Sequence, residues 1–245
     1  MSVAVVFVGS GDAFGNGDRM QACIAVRGKG SLALLDLGAT SMLALRRAGV
    51  DPAEVDAVFV SHFHGDHFGG LPYLILDAQF RKRTRPLTIA GPPGVRERAH
   101  GAMEEAFRGS SRTQQRFEIA YIELGRAPAR VGAFAVTAVP VAHTPGAEAV
   151  GLRVEVDGRV IAYTGDTEWT DALIDLASGA DLLIAEAYSF EKRIPFHLSY
   201  RAVEENLARL RARRVILTHA GPEMLERARE SRLELARDAL RITLD

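Results

Sequence analysis

The sequence predicts an α/β fold: two β-sheets packed together and covered by helices, in one domain spanning residues 1–245. Three observations lead there. The chain has 245 residues, enough to bury a substantial core. Short apolar, strand-like runs alternate with helix-like segments through both halves of the chain. No low-complexity linker or short-period repeat divides the halves.

Val3–Val8 reads as the first strand, closed by a glycine-rich turn from Gly9 to Gly17. Ala22–Val26 and Ser31–Asp36 follow as strands around the turn Gly28-Lys29-Gly30. Thr40–Ala48 has the marks of a short helix, with Ser41 as its cap and Gly49 at its end. Val55–Ser61 is a continuous apolar run, as expected of a strand buried on both faces. Helical spacing over Leu71–Arg81 precedes a strand at Leu87–Ala90 and a helix from Val95 to Phe107. In the second half, strands are expected at Phe117–Glu123, Phe134–Val141, Ala149–Val156 and Arg159–Thr164, with Asp157-Gly158 as a hairpin turn. A helix at Thr170–Ser178, a strand at Leu182–Ala185, a helix at Tyr200–Arg211 and a strand at Val215–Thr218 come next. Met224–Leu240 reads as a final charged helix.

Composition narrows the function classes. With 47% hydrophobic and 25% charged residues and a formal net charge of −1, the chain is not built to coat nucleic acid or membranes non-specifically. The single cysteine, Cys23, excludes an internal disulfide framework and a thiolate-rich metal site, and fits a reducing, cytoplasmic compartment. No signal-peptide pattern and no apolar run of membrane-spanning length is present, so a soluble, unprocessed protein is expected.

The chemistry concentrates in His62-Phe63-His64-Gly65-Asp66-His67, three imidazoles and a carboxylate within six residues. Clustered imidazoles repel one another on protonation, whereas neutral imidazole and carboxylate are good ligands for a borderline ion such as Zn2+. Gly65 would allow a tight backbone path, and Gly69-Gly70 an uncrowded turn after it. Three other expected strands also end on a metal-competent side chain: His143, Asp166 and His219. Each has a plainer alternative: a turn residue for His143, a helix cap for Asp166, a core histidine for His219. His197 could be a solvated residue at a helix start and Glu186 a structural ion-pair partner.

The His62-to-His67 loop and the three later strand ends, in order, resemble the metallo-β-lactamase superfamily. The resemblance implies a four-layer αβ/βα sandwich with two mixed sheets and helices on the outer faces. It also implies two metal ions, most simply zinc, with manganese or iron as alternatives. One ion would take His62, His64 and His143, the other Asp66, His67 and His219, with Asp166 bridging; Asp66 could instead act as general base. A water shared by two such ions loses its proton near neutral pH and becomes a nucleophile.

Val8-Gly9-Ser10-Gly11-Asp12-Ala13-Phe14, Arg85–Pro92, Val160–Thr167 and Ala185-Glu186-Ala187 resemble ribonuclease Z and related phosphodiesterases. In that branch a histidine matching His197 lies beside the metals and pairs with the carboxylate matching Glu186, which makes both candidate catalytic residues. Only 22 residues separate His143 from Asp166, which leaves no room for the RNA-gripping arm of the transfer-RNA enzymes. The expected activity is therefore hydrolysis of a small, cyclic or generic phosphodiester, with a small molecule or RNA as partner. Alternatives are a carbonyl hydrolase (lactonase or thioesterase), suggested by Thr144-Pro145-Gly146, and a 3′-processing endoribonuclease. A metal-dependent sensor without turnover and a di-iron redox protein are further options on the same ligands. The cluster Arg81-Lys82-Arg83-Thr84-Arg85 could touch an RNA backbone or simply form a solvated helix end, and Arg211, Arg213 and Arg214 carry the same ambiguity. By the same resemblance a homodimer is expected.

Overall fold

A computed structural model describes residues 2–245. The first half of the chain supplies β1 (Val3–Gly9), β2 (Cys23–Gly28), β3 (Ser31–Leu35), β4 (Ala57–Phe59), β5 (Leu87–Gly91) and β6 (Ile119–Glu123). The second half supplies β7 (Ala129–Val131), β8 (Phe134–Pro140), β9 (Val150–Val156), β10 (Arg159–Tyr163), β11 (Leu182–Glu186), β12 (Val215–Thr218) and β13 (Glu234–Leu235). A last strand, β14 (Arg241–Leu244), returns to the first sheet. The two seven-stranded sheets have the orders β14-β1-β2-β3-β4-β5-β6 and β13-β12-β11-β10-β9-β8-β7. Both are mixed: β3 to β6 run parallel, as do β10 to β13, and the remaining neighbours are antiparallel.

Period-two side-chain alternation builds the layers. On β1, Val3, Val5 and Phe7 point between the sheets, and Val6 and Val8 point to the outer face. The inner layer joins residues of both sheets, with Phe59 edge-on to Phe134 at 5.8 Å between ring centres. Helices α1 (Ser41–Arg47), α2 (Gly65–Phe68), α3 (Leu71–Phe80) and α4 (Val95–Ala106) lie on the first-sheet side, and residues of α1, α3 and α4 join its outer core. Helices α5 (Ala172–Ala177), α6 (Tyr200–Glu205), α7 (Leu207–Leu210) and α8 (Pro222–Glu226) cover the second sheet. The result is the expected αβ/βα sandwich. Among the described residues no helix is long and apolar enough to cross a membrane.

Four local expectations need correction. Met224–Leu240 is not one helix: α8 stops at Glu226, and the chain then forms β13 and β14. Long-range contacts outbid the local charged pattern there. Ala236 donates its N–H to Leu217 O, and the Asp238 carboxylate accepts from Ser10 N, Ser10 Oγ and Met20 N at 2.8–2.9 Å. The Tyr200–Arg211 helix breaks at Asn206, whose side-chain amide donates to Ala202 O at 2.9 Å and competes with the backbone. Ser41 is the first helical residue rather than the cap of α1, which starts after Thr40. Strand β7, too short to show a period, escaped the sequence pattern.

The arginine cluster after α3 is a solvated end at Arg81, Lys82, Thr84 and Arg85, which are exposed, with Arg83 as the exception. Arg83 is buried and donates to the carbonyls of Arg85, Ala53, Val55 and Pro86, so it ties the α3–β5 turn to the loop before β4. Arg81 pairs with Asp77 and Asp51, and Arg85 with Asp56. Arg213 and Arg214 are likewise engaged, with Asp181 and Glu234.

Candidate metal centre

Parallel strands end on the same side of their sheet, and the two sheets bring those ends together at one edge. After β4 the chain delivers His62, after β8 His143, after β10 Asp166 and after β12 His219. The backbone seals this edge between the sheets: Val150 N donates to Ser61 O at 2.9 Å, and His219 N to Ser10 O at 3.1 Å. His219 sits at φ 57°, a left-handed conformation that turns the chain sharply as it leaves β12. The loop itself needs no special freedom at Gly65, where an added Cβ would meet nothing. Close approach occurs instead at Gly69 and Gly70, whose Cβ atoms would lie 2.4 Å from Gly65 O and 2.6 Å from Gly38 O.

All seven expected ligands come together in two groups. His62, His64 and His143 present ring nitrogens within 4.8 Å of one another, and so do Asp66, His67, Asp166 and His219 through ring nitrogens and carboxylate oxygens. A third set, Asp166, Glu186, His197 and His219, overlaps the second. His64 is exposed, His143 half-buried, and the rest of the first two groups buried.

The hydrogen bonds fix which nitrogen of each ring is free. His67 Nδ1 lies 2.6 Å from Asp36 Oδ2 and must donate to it, which leaves Nε2 with a lone pair. That lone pair faces His219 Nε2 at 3.2 Å. His143 Nδ1 donates to Phe196 O at 2.9 Å, so its Nε2 lone pair faces His64 Nδ1 at 3.2 Å. Ser61 Oγ donates to Asp36 Oδ2 and accepts from His62 Nδ1, leaving His62 Nε2 unprotonated, buried and without a partner. Asp166 Oδ1 is also buried without a hydrogen bond. Lone pairs and orphaned acceptors aimed at one another repel unless cations lie between them. The donor set therefore fits divalent ions bound by imidazole and carboxylate.

With no ion bound, the carboxylates draw protons onto His67 and His219 in the cations' place. Burial opposes charge on His67, but Asp166 and Asp36 outweigh it and hold the imidazole well above the usual histidine range. Burial also opposes charge on His219, yet Asp166 and Asp66 push it up to about 9. His62 is driven the other way, by burial and then by its imidazole neighbours, so it stays neutral. Burial works against ionised Asp66 and Asp166, and the surrounding histidines still hold both well below the usual carboxylate range.

His197 stands beside this cluster, its ring 5.3 Å from that of His143. Its Nδ1 bonds Glu186 Oε1, which leaves Nε2 free. Burial lowers the charge tolerance of this ring, but Glu186 more than compensates and raises its pKa. Glu186 is fully buried and held by Thr167 N at 2.8 Å and Leu198 N at 3.2 Å through its other oxygen. The one histidine outside the site, His100 on α4, packs against Tyr121 of β6.

The sequence pattern missed Asp36. It follows β3 at φ 59°, is fully buried, and gathers His67, Ser61 and the Tyr163 hydroxyl (2.8 Å) on its carboxylate. The strand-end rule that picks out His62 also applies to it, since Asp36 closes the apolar run Leu32–Leu35.

Comparison with known proteins assigns the family. The family model described as Anti-Pycsar protein Apyc1 matches residues 3–239. The chain belongs to that family. Among curated relatives of the Apyc1-family chain, ribonuclease Z of Methanothermobacter thermautotrophicus is 28% identical over an alignment 291 positions long, gaps included, covering 98% of this chain and 92% of that protein. Among solved structures, the metallo-β-lactamase fold protein YhfI of Bacillus subtilis superposes with a TM-score of 0.80 at 20% identity, covering all of both chains. The short form of human tRNase Z gives 0.79 at 26% identity, over 98% of each chain. This member of the Apyc1 family is thus a metal-dependent hydrolase with the metallo-β-lactamase fold.

Proposed function

We propose that the chain is a dinuclear zinc phosphodiesterase that opens a small cyclic phosphodiester, with a cyclic nucleotide as its substrate. The pairing of His197 with Glu186 beside the two ligand groups carries this reading. Family membership supports it, because the Apyc1 family is one of cyclic nucleotide hydrolases. So does the short span between β8 and β10, which holds only the nine-residue loop 141–149, β9 and a hairpin turn. The burial of Arg83 and the pairing of Arg81 with Asp51 and of Arg85 with Asp56 reduce the net positive charge that the RNA alternative would use.

In this reading His62, His64 and His143 would hold one ion and Asp66, His67 and His219 the other, with Asp166 available to both. Asp66 Oδ2 is 3.1 Å from His219 Nε2 and 3.3 Å from His67 Nε2, which favours its role as ligand over that of general base. Bound ions would acidify an attacking water and neutralise charge on the phosphate oxygens. The chain's own contribution is His197. Glu186 holds Nδ1–H and keeps the ring protonated, so Nε2–H donates to the substrate and passes its proton to the leaving alkoxide as the P–O bond breaks. Imidazole and carboxylate ligands without thiolate suit zinc, and metal analysis of protein purified without added metal distinguishes it from manganese and iron. Buried Cys23 supports a reducing compartment, and the resemblance to ribonuclease Z supports a homodimer.

The test is hydrolysis of cyclic nucleotides by zinc-loaded protein. His62→Ala abolishes turnover, and His197→Ala lowers kcat about 100- to 1000-fold with bound metal retained. Hydrolysis of lactones or thioesters, with every phosphodiester left intact, would give the assignment to the carbonyl-hydrolase alternative.

A further inference from the structure

Two cavities flank the candidate centre, and their chemistry differs. The larger, about 550 Å3, opens on the His197 side and is walled by Glu168, Glu191, Glu204 and Glu205 against Arg193 and Arg201. These charges are already matched in part: Arg201 pairs with Glu191 and Glu204, and Arg193 with Glu168. The surplus is acidic, which disfavours the anionic phosphate group within this cavity.

The second cavity, about 420 Å3, opens beside His143. Its size falls within the range of small-molecule sites. Leu124, Ala138 and Val150 give it an apolar floor, and Pro93 and Pro145 contribute to its walls. The floor is fixed by a contact between the sheets, Ala138 N to Gly125 O at 2.9 Å, and by one within the first sheet, Leu124 N to Gly91 O at 2.7 Å. The loops after β5 and β6 line it, and these strands end at the same edge as the His62 loop. Two charged side chains line it, Arg126 and Glu148, and both are exposed. Neither makes a hydrogen bond or salt bridge among the described residues. The cavity thus combines an apolar slot, one free donor group and one free acceptor group, with no net charge.

Resting on the phosphodiesterase reading above, we infer that the cavity beside His143 holds the heteroaromatic base of the substrate. A planar heterocycle is apolar on its faces and carries donors and acceptors on its edge, the complement of this lining. Arg126 donates to a carbonyl or ring nitrogen of the base, and Glu148 accepts from its N–H. With His143 shared between the cavity and the first ligand group, a base seated there would leave the phosphodiester beside the two ligand groups, on the way to His197.

The experiment compares a nucleoside 3′,5′-cyclic phosphate with the base-free methyl riboside 3′,5′-cyclic phosphate, using zinc-loaded protein. Arg126→Ala and Glu148→Ala lie on the surface and leave the fold intact, which circular dichroism checks. Each is expected to raise KM for the cyclic nucleotide about tenfold with kcat kept, and to leave both constants unchanged for the base-free compound. Equal effects on the two substrates, or none on either, would overturn the subsite. A base-selective loss in Trp169→Ala, a residue that lines the larger cavity, with Arg126→Ala silent, would overturn it by placing the base on the His197 side. Wild-type protein that opens neither compound overturns the phosphodiesterase reading itself, a result separable from the others because it needs no variant.

Discussion

At the scale of the residue, Asp36 shows how a buried carboxylate organises groups it does not resemble. Its two oxygens accept from Ser61 N, Ser61 Oγ, His67 Nδ1 and Tyr163 OH at 2.6–2.8 Å. Through these bonds it sets the tautomer of His67 directly and that of His62 by way of Ser61. Asp36→Asn places an N–H2 group where only donors converge, so at least one of these bonds becomes a donor–donor contact. The expected cost is about 1.5–3 kcal/mol of stability, with metal affinity down about 10- to 100-fold. Thermal unfolding and chelator competition measure the two effects; unchanged metal affinity would show that the rings are oriented by packing alone. The histidines of the centre were legible in the sequence because three imidazoles in six residues have no ordinary use. Asp36 was not, because Leu35-Asp36-Leu37 reads like any strand end until His67 is placed against it.

At the scale of the element, local pattern and long-range pairing compete, and the outcome depends on which is stronger. Strands β1, β3, β8 and β9 were readable because one or both faces are buried and their side chains alternate. The segment after α8 misled because its charges have helical spacing, whereas its fate is decided by pairing of β13 with β12 and by partners of Asp238 and β14 more than two hundred residues away. Asp238 holds Ser10 N, Ser10 Oγ and Met20 N, and Ile242 packs into the inner core beside β1. Asp238→Ala leaves those donors unmatched and is expected to destabilise the fold by about 1–3 kcal/mol. Urea unfolding reads this as a lower midpoint at constant slope. An unchanged midpoint would mean that water replaces the carboxylate, and that β13 and β14 are anchored by their backbone pairing alone.

At the scale of the whole molecule, the candidate centre is the place where the two sheets are joined. His62, His64, Asp66 and His67 leave the first sheet through one loop, whereas His143, Asp166 and His219 come from three strand ends of the second. Each ligand group draws on both sheets: His143 closes the first, and Asp166 and His219 close the second. Ions bound there would therefore act as cross-links across the sandwich, stabilising the native state over an unfolded chain that lacks the assembled site. Removing the metal with a chelator should lower Tm by roughly 10 °C, the shift expected when a ligand bound about a thousandfold above its Kd is withdrawn from a domain of this size. The same treatment should change Tm much less in His143→Ala, which lacks the second sheet's contribution to the first ligand group. The two perturbations are then less than additive, as expected for groups acting through one shared cross-link. Full additivity would instead mean that the loop and the strand ends are held independently, and that the sandwich is sealed at this edge by the Val150–Ser61 and His219–Ser10 backbone bonds without help from metal.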